Sequence, residues 1–173
     1  MIFHFQIISQ EIKYFQLEVE LSAKNTFFDF HSIIQKSLGY ESHQLASFFI
    51  PDQRGLKEKE ISMLDLGMNG GAYLIMQKTT LSDLINFKGQ KLIYTFDFVN
   101  DRSLLIELTD IIMEKNLSEP MVTLKQGDTP QQVLGDDVDV IEQESIEIQE
   151  EKVYSLFGEL EDYTEIFGEM DDF

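Results

Sequence analysis

Histidine is the side chain best suited to acid–base or metal chemistry near neutral pH. In this chain of 173 residues it occurs three times, as His4, His31 and His43. The spacing of the three does not match that of a metal site, and there is no cysteine to supply thiolate ligands or disulfides. An acidic run at 136–139 lacks the glycine and the terminal glutamate of a calcium loop. We therefore predict no metal site and no cofactor.

His31 belongs to a segment with several independent signals of a helix. Thr26 can serve as the N-cap, and Asp29 three residues later completes a variant of the capping box. Gly39 supplies the left-handed stop at the other end. Apolar residues recur on one helical face at Phe27, Phe30, Ile34 and Leu38. His31 falls on the same face.

Alternating apolar and polar residues predict a sheet for this helix to cover. Residues 2–9 and 14–21 form one predicted antiparallel hairpin, and residues 91–98 and 104–108 form a second around a turn at Asn100 and Asp101. The order strand, strand, helix, strand resembles the opening of a β-grasp domain. We predict an exposed loop at 52–60, a short helix at 110–116 and an irregular segment at 120–130. The predicted class is α+β, with a mixed or antiparallel sheet of hairpins covered by the capped amphipathic helix.

Charge divides the chain into a domain and a tail. Residues 1–135 contain 12 Lys and Arg against 17 Asp and Glu, whereas residues 136–173 contain 1 against 15, within a net charge of −19. We predict an α+β domain at 1–135 and an acidic tail at 136–173. Binding to nucleic acid requires a basic footprint, which neither part has on average, so we expect no direct nucleic-acid contact.

The tail contains a duplicated element, F-G-E-[LM]-x-D-[YF], in which FGELEDY at 157–163 is followed by FGEMDDF at 167–173. It suits a disordered solubilising segment, a segment that folds back onto its own domain, or a pair of recognition elements that become ordered on a partner. Under the third hypothesis a protein partner contacts the tail through its apolar residues: Phe157, Leu160, Tyr163, Phe167, Met170 and Phe173.

No apolar stretch approaches the roughly 20 residues that span a bilayer, and the N-terminus lacks the basic leader and apolar run of a secretion signal. We expect a cytoplasmic protein without membrane contact, in keeping with the absence of cysteine.

The chain resembles the plasmid pRi ORF-three-like family of small bacterial α+β domains. The main motif is T-x-x-x-x-H-x-x-I-Q-x-x-x-G-Y-x-x-x-x-L-x-x-F, carried by Thr26, His31, Ile34, Gln35, Gly39, Tyr40, Leu45 and Phe48. An L-S-D-L-I helix at 81–85, a Y-x-F-D-F strand at 94–98 and a closing G-D-T-P-Q-Q segment at 127–132 extend the resemblance over about residues 1–135.

Family members typically continue that strand as D-F-G-D-x-W-x-H, and this chain departs from them there. Asp97 and Phe98 are followed by V-N-D-R-S-L, so the second glycine–acid step, the Trp and the His are absent. The resemblance and their positions together single out His31 and Asp97. One hypothesis joins them as an acid–base pair; the other makes His31 a buried structural histidine and Asp97 a turn residue.

These observations favour a non-catalytic protein-interaction or regulatory module. The alternatives are a hydrolase-like enzyme that uses His31 and Asp97, and a factor linked to mobile elements that associates with nucleic acid. No nucleophile, oxyanion donor or metal triad accompanies the pair.

Overall fold

The computed structural model describes residues 1–65, 74–113 and 115–134, which form eight strands and two helices. The strands are β1 (Ile2–Ser9), β2 (Gln16–Ser22), β3 (Ser47–Pro51), β4 (Lys57–Ser62), β5 (Leu74–Ile75), β6 (Lys91–Asp97), β7 (Arg102–Ile112) and β8 (Met121–Gln126). The helices are α1 (Phe27–Leu38) and α2 (Leu81–Leu84). The chain divides into two units, residues 1–132 and 133–173, and the elements above belong to the first.

All eight strands join one sheet in the order β5-β4-β3-β6-β7-β1-β2-β8. Neighbouring strands are antiparallel except β4 and β5, which are parallel, so the sheet is mixed. The predicted α+β class is confirmed. The first four elements follow the β-grasp order, but β1 pairs with β2 and β7 while β3 pairs with β4 and β6. The likeness to a β-grasp domain therefore ends at the order of the elements.

Reciprocal hydrogen bonds begin α1. Thr26 Oγ1 accepts from the Asp29 backbone N–H at 3.1 Å, and the Asp29 carboxylate accepts from the Thr26 N–H at 2.8 Å. Gly39 ends the helix with a φ of 68°, in the left-handed region that favours glycine. Neither helix of the described residues has the length and apolar character needed to cross a bilayer.

Aromatic side chains fix α1 against one face of the sheet. The Phe30 ring stacks on Phe5 of β1 at 4.6 Å and on Phe48 of β3 at 5.1 Å, and Phe27 meets Phe48 edge-on at 5.3 Å. Leu81 of α2 is buried in the same core. The odd-numbered residues of β1 therefore face α1, and its even-numbered residues face the other side of the sheet.

The predicted helix at 110–116 is wrong, because β7 continues to Ile112. Ile111 lies opposite Phe3 and Ile112 opposite Ile2. A bulge between His4 and Phe5 adjusts the register of β1 and β7, and Thr109 Oγ1 donates to the His4 carbonyl there at 3.0 Å. Pairing with a strand about a hundred residues away thus outweighs the local helical pattern.

The predictions of a loop at 52–60 and an irregular segment at 120–130 are also wrong in part. The first contains a turn followed by β4, and the second contains β8. Residues 57–60 of β4 extend past the short β5, and β8 lies at the end of the sheet, so both present exposed edges. Strands in such places carry charged and polar residues that conceal the usual alternation.

Candidate functional site

His31 lies between α1 and the sheet and is only 3% exposed. Its Nδ1 is 2.9 Å from the hydroxyl oxygen of Tyr94 on β6, and the same oxygen accepts from Gln35 Nε2 at 2.6 Å. Because the Gln35 amide nitrogen only donates, the Tyr94 hydroxyl proton is available to His31 Nδ1. If the hydroxyl donates to Nδ1, the ring proton of a neutral His31 lies on Nε2.

Burial explains the protonation of this three-residue network. Desolvation lowers the pKa of His31 and raises that of Tyr94, so both side chains are uncharged at neutral pH. Gln35 Oε1 is buried without a hydrogen-bond partner in the described part of the chain. The network holds the middle of α1 on the central strand β6.

Asp97 is at the end of β6 and organises the turn into β7. Its carboxylate accepts from the backbone N–H groups of Val99 and Asn100 at 3.0 and 3.1 Å and from Asn100 Nδ2 at 2.8 Å. Burial acts to raise the pKa of Asp97, but these hydrogen bonds and the nearby charge of Arg102 outweigh it, and the pKa is lowered. Asp97 is therefore an ionised residue that stabilises a turn.

The structure gives the two predicted polar residues separate partners. Within residues 1–65, 74–113 and 115–134, no hydrogen bond or ion pair joins His31 to Asp97. His31 is bonded to Tyr94, and Asp97 to its own turn and to Arg102 at 3.6 Å. The Asp97 carboxylate therefore does not orient the His31 imidazole, as it would have to do if His31 acted as a general base.

Sequence reasoning missed Arg102, the most highly connected charged residue in this part of the structure. Its guanidinium makes a bidentate pair with Glu11 at 2.8 and 2.7 Å and donates to the carbonyls of Gln131 and Gln132 at 2.7 and 3.4 Å. It also lies 5.0 Å from the centre of the Phe96 ring. No local pattern marks an arginine after a turn, because its partners are about 30 and 90 residues away.

The closing segment of the unit is attached next to this cluster. The Tyr40 hydroxyl donates to the Pro130 carbonyl at 2.7 Å. The Glu41 N–H donates to Gln132 Oε1 at 2.6 Å, and Gln132 Nε2 donates back to the Glu41 carbonyl at 2.9 Å. Several residues that carry the family motif therefore serve to join the end of α1 to residues 130–132.

The face of the sheet opposite α1, which we call the open face, is not covered by either helix of the described residues. Ile8, Leu105 and Ile93 are register neighbours on β1, β7 and β6 and form an apolar row across it. Gln6, Glu107 and Lys91 are register neighbours on the same strands and form a charged row beside it.

A cleft of about 310 Å³ lies over these two rows, and the turn that joins β3 to β4 borders it through Pro51 and Gly55. The sequence carried a partial signal of this site. Ile8 and Ile93 are apolar residues that face outward on strands whose inward-facing residues are also apolar. Such residues predict a second apolar surface, but they do not show that strands 1, 6 and 7 bring them together.

Other predicted site residues lie elsewhere. In the part of the chain that the structure describes, no three His, Asp or Glu side chains are grouped as metal ligands. The predicted partner-binding residues of the tail fall outside the described residues: Phe157, Leu160, Tyr163, Phe167, Met170 and Phe173.

Comparison with known proteins agrees with the sequence motifs. No curated protein matches the chain. A crystal structure of a protein of unknown function from Methanosarcina mazei Go1 is similar in fold, with a TM-score of 0.58 and 20% identity over 75% of this chain and 71% of that one. The family described as plasmid pRiA4b ORF-3-like protein matches residues 13–150. The chain belongs to the plasmid pRiA4b ORF-3-like family.

Proposed function

We propose that the protein is a non-catalytic protein-interaction or regulatory module of the bacterial cytoplasm. The observation that carries this proposal is the open face, which leaves an apolar row uncovered by the described helices, with Ile8 41% exposed. Apolar surface left accessible beside polar groups is typical of binding sites.

The contacts of the polar candidates support a function without catalysis. His31 is buried and bonded to Tyr94, and Asp97 is held by its turn and by Arg102. Neither side chain lines the cleft of the open face. A general base needs access to a substrate proton, and both residues are engaged in bonds that stabilise the fold.

The acidic tail supplies a second contact in this proposal. We place the domain at residues 1–135 and the tail at 136–173, and the duplicated F-G-E-[LM]-x-D-[YF] element supports two recognition elements of the same kind. Their aromatic residues would fill pockets of a protein partner, and their acids would match a basic rim around those pockets.

Affinity capture from the native host tests the proposal with three forms of the chain. The full chain should retain a defined set of proteins that a chain ending at Gly135 loses. A full chain with Ile8→Ser tests the open face separately. Identical partner lists for the full and shortened chains would refute the role of the tail, and retention of every partner by Ile8→Ser would refute that of the open face.

A further inference from the structure

We infer that the cleft of the open face binds an apolar α-amino acid in its zwitterionic form. The side chain of the ligand lies on the apolar row, its ammonium group meets Glu107 and its carboxylate meets Lys91. This inference goes beyond the proposed interaction function and does not depend on it, because the site is formed within one chain by β1, β6, β7 and the turn that joins β3 to β4.

The size and floor of the cleft suit one amino acid side chain. Its volume of about 310 Å³ is at the lower end of ligand sites, which span roughly 300–1,000 Å³. The floor is formed by Ile8, Leu105 and Ile93. Ile93 is 9% exposed, whereas Ile8 is 41% exposed. A branched aliphatic or aromatic side chain placed there would remove the exposed part of Ile8 from water.

The polar side chains around the cleft are unpaired. Among the described residues, the side chains of Gln6, Gln10, Lys91 and Glu107 make no hydrogen bond or ion pair, although all four line the cleft. Their donors and acceptors are therefore available to a ligand.

Several polar residues elsewhere on the sheet are paired with one another. Thr95 and Ser103 share a hydrogen bond of 2.9 Å, and Glu20 accepts from Lys115 at 2.6 Å. The four polar side chains that line the cleft, in contrast, have no such partner among the described residues.

The positions of the two charges select the ligand class. Glu107 and Lys91 are direct cross-strand neighbours, so their backbones lie about 5 Å apart, and the charged row is about 7 Å along the strands from the apolar row. A ligand that satisfies both must carry opposite charges a few ångströms apart and an apolar group one side-chain length away. An apolar α-amino acid has this arrangement, whereas a fatty acid or an alkylamine has only one of the two charges.

The border of the cleft is a well-formed turn. The Asp52 carboxylate accepts from the backbone N–H groups of Arg54 and Leu56, each at 2.8 Å. Gly55 beside them has a φ of 83°. This turn holds Pro51 and Gly55 in place, so the cleft exists before any ligand binds, which lowers the entropic cost of binding.

Calorimetric titration of the purified full chain with L-leucine and L-phenylalanine tests the inference. At least one of them should bind, and amide shifts in NMR spectra should move at Ile8, Ile93 and Leu105. L-serine lacks the apolar group, N-acetyl-L-leucine lacks the ammonium and L-leucinamide lacks the carboxylate, so each should bind more weakly. Absence of binding by both apolar amino acids at millimolar concentration would overturn the inference.

Charge variants give a second, independent test. Lys91→Gln and Glu107→Gln should each weaken binding of the zwitterion by roughly two- to five-fold, and each should abolish the preference for the zwitterion over the analogue that lacks the matching charge. Lys59→Gln, an exposed lysine of β4 outside the cleft, is the matched control and should bind normally. Equal affinities for L-leucine and its blocked analogues, or unchanged affinities in both variants, would contradict the assignment. Both outcomes are independent of any protein partner.

Discussion

Replacing Tyr94 with Phe is the most direct test of the buried network beneath α1. The substitution keeps the ring, which packs 4.9 Å from Phe48, and removes only the hydroxyl group. His31 Nδ1 then loses the group 2.9 Å away, and Gln35 Nε2 loses its acceptor at 2.6 Å. Two buried polar atoms are left without partners by a change of one oxygen atom.

The expected cost follows from these two losses. A buried donor or acceptor left unsatisfied costs about 1–3 kcal/mol, so the loss of two partners in Tyr94→Phe should lower the free energy of unfolding by about 2–6 kcal/mol. The lower end applies if the Gln35 amide turns to donate to His31 directly. Since domains are stable by only about 5–15 kcal/mol, even the lower end is a large effect.

Urea unfolding of the full chain followed by circular dichroism measures this cost. The transition midpoint should fall while the slope of free energy against urea concentration stays constant. Tyr14→Phe is the matched control, because Tyr14 is 76% exposed and should change stability by less than about 0.5 kcal/mol. Nitrogen NMR shifts of His31 should also report a proton on Nε2. A Tyr94→Phe effect no larger than that of Tyr14→Phe, or a proton on Nδ1, would refute the network as described.

Three further predictions concern the charges and caps of the fold. Burial lowers the pKa of His31, so the folded chain binds fewer protons there than the unfolded chain. The free energy of unfolding should therefore fall as the pH drops below about 6.5. In urea titrations between about pH 8 and pH 5, His31→Gln should reduce that fall. Arg102→Lys keeps the charge but loses the bidentate pair with Glu11, and should lower the unfolding free energy by about 1–3 kcal/mol, whereas Arg54→Lys, at a side chain 79% exposed, should leave the urea midpoint unchanged. Thr26→Ala removes the N-cap of α1 and should lower the free energy of unfolding by about 1 kcal/mol, which a lower thermal midpoint would report. An unchanged midpoint would mean that the cap does not contribute to stability.

Local sequence determined the elements whose signals lie within one segment. The cap at Thr26, the apolar face of α1 and the stop at Gly39 act over a dozen residues, and the structure contains a helix from Phe27 to Leu38 there. The alternation at 2–9 and 91–98 likewise marks β1 and β6, because inward and outward residues differ in polarity along a single strand. The net charge of the tail is also a property of composition alone.

Tertiary structure decided which of these elements meet. β7 extends to Ile112 because β1 offers it a partner, and a local pattern contains no information about a strand a hundred residues away. For the same reason the sequence singled out His31 and Asp97 but could not show their contacts. His31 is bonded to Tyr94, and Asp97 to the turn before Arg102. The unpaired charges of Lys91 and Glu107 become neighbours only in the register of β6 and β7. Long-range strand pairing determines hydrogen-bond partners and binding clefts, whereas residues close in sequence determine helix caps and hydrophobic periodicity.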